Sequence, residues 1–84
     1  MSTLIITAQA IRNDVVKVIS SLKRVPPRRL NAARDFTELG FDILDVVEII
    51  LKLEKKFNLT IPDEVPVYSV DDFVNYIYTY KQAS

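Results

Sequence analysis

The chain has 84 residues, 49% of them hydrophobic, with no cysteine, no histidine, and eleven basic residues balanced by eleven acidic ones. This length predicts one domain over residues 1–84. The missing cysteine excludes disulfides and thiolate sites, and the missing histidine removes the usual general base and the commonest metal ligand, so a non-enzymatic protein is expected.

Zero net charge gives no general pull toward nucleic acid or membrane. No apolar run approaches the roughly 20 residues that span a bilayer, and no signal-peptide pattern opens the chain. A soluble cytoplasmic protein is the expectation. One glycine and four prolines argue against a sheet with many tight turns.

In chain order, Leu4, Ala8, Ile11, Val15, Val18 and Leu22 recur at steps of four and three. That spacing predicts a first amphipathic helix, with Ser2 or Thr3 as its N-cap. Pro26-Pro27 stops it. From Lys23 to Phe41 no helical period appears, and a long loop is expected, pinned to the core by Leu30, Phe36 and Leu39. The loop carries Lys23, Arg24, Arg28, Arg29 and Arg34, which read either as a solvated stretch or as a surface for an anionic partner.

Asp42 to Phe57 is the clearest helix. Asp42 caps it, and Asp45 completes a near capping box. Val46, Ile50, Leu53 and Phe57 form one stripe, which Val47 and Leu51 widen, and Asp45, Glu48, Lys52 and Lys56 share the opposite face. Asn58 ends the helix in left-handed geometry. Thr60 to Glu64 reads as a turn into a short helical piece that Pro66 limits. Ser69 or Asp71 caps a last helix to about Lys81, with Val70, Phe73, Val74, Ile77 and Tyr80 inward and Tyr78 pointing away.

Residues 35–45 read D-F-T-E-L-G-F-D-I-L-D. This resembles the modification site of acyl carrier proteins and related peptidyl carrier domains: a leucine and glycine, one variable residue, then D-S-L at the start of the second long helix. Leu39, Gly40, Asp42 and Leu44 match it. Val47-Glu48, Leu53-Glu54 and Phe57 continue the pattern, Ile61-Pro62-Asp63-Glu64 matches the signature after that helix, and Val70, Asp72 and Tyr76-Ile77 resemble the last helix. The resemblance implies an all-α, four-helix acyl-carrier-protein-like bundle: three long helices, one short helix and a long first loop. It also implies a function. The family's serine takes a 4'-phosphopantetheine arm from coenzyme A, the arm carries acyl chains between enzymes, and acids along the second long helix dock those enzymes.

The serine position is Ile43. Isoleucine has no hydroxyl, so no cofactor is expected on this chain, although serine-bearing relatives carry 4'-phosphopantetheine. The nearest hydroxyl, Thr37, lacks the flanking aspartate and leucine. The chain is also neutral where carriers are strongly acidic. Asp42, Asp45 and Glu48 are followed by Lys52, Lys55 and Lys56, a gradient that partner docking and the helix dipole each explain. The segment from Glu64 to Ser69 is shorter than usual and holds Pro66.

Two readings stay open. One is a carrier of fatty-acid or polyketide-type biosynthesis whose serine has been replaced, by evolution or by design. The other is a binding or regulatory module that keeps the carrier fold for protein contacts. Both place the partner surface at Asp42, Asp45, Glu48, Phe41 and Leu44, with Ile43 projecting into solvent. Phe41 then either joins Ile43 in an exposed patch closed from below by an inward Leu44, or folds into the loop core.

Overall fold

The computed structural model describes residues 7–83. Its elements in chain order are α1 (Ala8–Lys23), α2 (Pro27–Ala32), a 3-10 turn (Phe36–Leu39), α3 (Ile43–Phe57) and α4 (Val70–Ala83). No strand occurs among the described residues, and the all-helical, four-helix expectation holds. No described helix is long and apolar enough to cross a membrane.

The expected cap residues Ser2 and Thr3, and Leu4, lie outside the described residues. Within them α1 starts at Ala8, and the Thr7 hydroxyl accepts a hydrogen bond from the Ala10 amide at 3.0 Å. Its buried face is Ile11, Val15, Val16 and Ile19. Val18 and Leu22 sit half-buried at the edge and Ala8 is exposed, so the true stripe is turned slightly from the expected one. Arg24 ends the helix at φ 58°.

The short helix is α2, inside the segment expected to be a loop, and the piece expected after Pro62 is a turn closed by the Val65 amide on the Pro62 carbonyl at 3.1 Å. Proline position decides both. Pro27 is the first residue of α2, where no N–H is needed, and the Arg29 and Leu30 amides bond the Pro26 carbonyl. Pro66 stands four residues after Pro62, where a helix would require its missing N–H. Only Leu30 of α2 is buried, too little to leave a periodic signal.

α1 is the central element and packs against α2, α3 and α4. The core between them holds Val15, Ile19, Leu30, Ile49, Leu53, Phe73 and Ile77, all fully buried. Phe36 joins it, with ring centroids 5.7 Å from Phe41 and 5.8 Å from Phe73, so Leu30, Phe36 and Leu39 do pin the long connection. α4 is capped by the Ser69 hydroxyl, which accepts from the Asp72 amide at 3.1 Å, and buries Val70, Phe73, Val74 and Ile77. Tyr80 stays exposed against Tyr76, and Tyr78 faces outward.

The inward face of α3 is Ile49 and Leu53, with Val46, Ile50 and Phe57 half-buried. Val47 and Leu51, expected to widen that face, are exposed. At about 100° per residue they fall on the far side of the helix from Ile49 and Leu53. Asn58 closes α3 at φ 55°. The Lys81 ammonium donates to the Phe57 carbonyl at 2.7 Å, Glu54 Oε2 accepts from the Ile61 amide at 2.7 Å, and the Tyr76 hydroxyl donates to the Thr60 carbonyl at 2.8 Å.

Candidate functional site

The head of α3 is built by its neighbours in sequence. Gly40, the one glycine of the chain, takes φ 78°, a left-handed conformation that side chains rarely adopt, and its amide closes the 3-10 turn on the Thr37 carbonyl at 3.0 Å. Phe41 then folds back half-buried onto Phe36. Asp42 caps α3 in a full capping box. Asp42 Oδ1 accepts from the Asp45 amide, and Asp45 Oδ2 accepts from the Asp42 amide, both at 2.9 Å.

That frame leaves Ile43, the first helical residue, 78% exposed. Leu44 is 71% exposed, which corrects the expected inward turn. One step of about 100° past Ile43 carries it further from the core face, not toward it. Leu44, Val47 and Leu51 are exposed on the same helix, while Phe41 is half-buried and lines the same groove as Ile43.

The three acids are not equivalent. Lys23, the last residue of α1, reaches Asp45 Oδ1 at 2.5 Å and Glu48 Oε1 at 2.6 Å. The Lys23 hydrogen bond, followed by that of the Asp42 amide, holds the Asp45 carboxyl below its usual 3.8, and hydrogen bonds to Asp45 and then Glu48 hold the Lys23 ammonium above its usual 10.5. Asp45 and Glu48 thus face a cation of the same chain, while Asp42 is exposed. No local signal marks this pairing, since Lys23 lies 25 residues before Glu48. The basic cluster of the connection is divided accordingly. Lys23 turns to α3, Arg34 pairs with Glu38 at 3.2 Å, and Arg24, Arg28 and Arg29 remain exposed.

Beside the head of α3 lies a groove of about 710 Å³ between that helix and residues 61–68. Phe36, Phe41, Val46, Ile50, Ile61 and Val65 make its walls, and Asp42, Ile43, Asp63 and Glu64 line it as exposed residues. No lysine or arginine lines it. The Phe36 amide donates across its end to the Tyr68 carbonyl at 2.8 Å. Thr37 shares the wall, and its hydroxyl donates to Asp35 Oδ1 at 2.5 Å. That bond, with the Glu38 amide behind it, lowers the Asp35 carboxyl from its usual 3.8. The four residues at the start of α3 are Asp42, Ile43, Leu44 and Asp45. None has a hydroxyl or thiol, so they do not fit a covalently attached phosphodiester arm.

The profile of the phosphopantetheine attachment-site family matches residues 13–77. The chain is similar to the acyl carrier protein of Wolinella succinogenes, 43% identical over 75 residues, 86% of this chain and 99% of that one. It is similar to the acyl carrier protein of Helicobacter pylori strain J99, 40% identical over 88% of this chain and 99% of that one. It is 32% identical over 87% of its length to mitochondrial acyl carrier protein 2 of Arabidopsis thaliana, covering 60% of that protein. The chain belongs to the phosphopantetheine-attachment family of acyl carrier proteins. In this family the bundle is a carrier, and 4'-phosphopantetheine is the group its relatives bear.

Proposed function

We propose that this chain is an acyl-carrier-type module of fatty-acid or polyketide-type biosynthesis that bears no arm, because Ile43 stands at the attachment position. The observation that carries the reading is the head of α3. There a capped, solvent-projecting first helical residue, at the edge of an apolar groove, is aliphatic. It acts in the cytoplasm by docking the enzymes of acyl-chain synthesis through Asp42, Asp45, Glu48, Phe41 and Leu44, without chemistry of its own. Exposed Leu44, Val47 and Leu51 favour the second reading, a module that keeps the fold for protein contacts alone.

Intact mass after incubation with coenzyme A and a promiscuous phosphopantetheinyl transferase tests the proposal. The unchanged chain is expected to gain no mass and Ile43→Ser to gain one arm. A gain on the unchanged chain moves the site elsewhere, with Thr37 the first residue to map. A serine variant that also stays unloaded supports the contact-only module.

A further inference from the structure

A second cleft, of about 400 Å³, lies between α1 and α2 and shares no residue with the groove beside α3. Asn13, Lys17 and Ser20 line it at steps of four and three along α1, with Ser21 beside them and Asn31 opposite on α2. Val16 and Pro27 are the apolar part of the lining. The polar groups are left as donors. Gln9 Nε2 donates to Asn13 Oδ1 at 2.9 Å, and Arg12 Nε donates to Asn31 Oδ1 at 3.0 Å. With those oxygens engaged, each carboxamide has its NH2 group to offer. The Ser20 and Ser21 hydroxyls have no hydrogen-bond partner, and exposed Lys17 no ion pair, among the described residues. No carboxylate lines the cleft, and Asp14, the one acid of α1, stays outside it.

We propose that this cleft binds a phosphate monoester. The basic cluster of the connection supplies the charge once Lys23 and Arg34 are paired off. Arg24 stands one residue past the end of α1, and Arg28 stands three residues before Asn31 on α2, a spacing that puts both on one helix face. Both arginines are exposed and form no ion pair among the described residues. A carboxylate has two oxygens and one charge, too few for donors that converge from two helices. A phosphate monoester brings three acceptor oxygens and close to two charges, and guanidinium groups match it in pairs of hydrogen bonds. The dipole of α1 opposes an anion near Ser21, but it amounts to only about half a charge against three unpaired cations. Val16 and Pro27 give the carbon end of the ester an apolar footing. The site needs nothing from Ile43, so it is independent of whether the chain bears an arm.

Titration of isotope-labelled protein with phenyl phosphate at low ionic strength, followed by proton–nitrogen NMR, reads the site directly. The expected result is saturable shifts in the side-chain NH2 groups of Asn13 and Asn31 and in the amides around Lys17 and Arg28, with a Kd of about 1 mM. Lys17→Glu is expected to keep its circular dichroism spectrum and to raise the Kd about tenfold or more. Lys55→Glu makes the same charge change on α3 and is expected to raise it less than about twofold. Vesicles of phosphatidylcholine containing phosphatidic acid form the second arm. Cosedimentation that Lys17→Glu abolishes supports the site with the phosphate on a lipid headgroup, and no cosedimentation beside saturable shifts supports it with a soluble ester. Shifts that never saturate, or that spread equally to Lys52, Lys55 and Lys56, overturn the proposal. Equal weakening by Lys17→Glu and Lys55→Glu reduces the binding to general charge attraction and also overturns it.

Discussion

Ile43 occupies an exposed helical position that Asp42 and Asp45 hold in place, so its side chain carries little of the fold. Ile43→Ser should change unfolding free energy by no more than about 0.5 kcal/mol, as is usual for exposed positions. Asp42→Ala removes the acceptor for the Asp45 amide and should cost about 0.5–2 kcal/mol. Urea unfolding of the two variants beside the parent checks both, and a large loss on Ile43→Ser would contradict its exposure. The cap was legible because it is local: two acids three residues apart, just before an apolar run, state their own hydrogen bonds. Hydrophobicity alone points Leu44 inward, and the helical angle carries it outward. Lys23 stands in sequence with the arginines that follow it, and nothing within a few residues shows that it belongs to Asp45 and Glu48.

At the scale of elements, Lys23 fastens the end of α1 to the first turn of α3. Asp45 is held below 3.8, so the stability it adds is in place above the unfolded carboxylate value and lost as pH falls through the folded one. Lys23 is held above 10.5, so its share is in place below that value and lost as pH rises through the folded one. The urea midpoint of the parent should therefore fall on acidification from about pH 5 to about pH 2, and fall less in Asp45→Asn. Equal slopes in the two proteins would show that the bridge adds nothing in solution. The long helices were legible from their three-and-four spacing. α2 was not, because six residues with one buried side chain make no period, and its start depends on a proline that reads equally as a breaker.

Across the whole molecule, helix order could be read from the chain but helix pairing could not. The central place of α1 depends on Val16 and Ile19, which the expected stripe omitted. Phe36 shows how far the connection contributes: it is buried, and its ring meets both Phe41 beside the groove and Phe73 in α4. Phe36→Ala should cost about 3–5 kcal/mol, a large share of the roughly 5–15 kcal/mol of a small domain. Thermal unfolding followed by near-ultraviolet circular dichroism should show a lower and broader transition, and an unchanged melting temperature would remove the ring from the core. The backbone of the same residue has a separate consequence. Its amide ties the 3-10 turn to the Tyr68 carbonyl at one end of the groove, as Glu54 ties α3 to the Ile61 amide at the other, so residues 61–68 cannot lift at the Tyr68 end until the Phe36 bond breaks. Deuterium replaces an amide proton only while the bond is open. The exchange rate at Phe36 is therefore a clock for the breathing of the groove, and anything lodged between the walls will slow or quicken it.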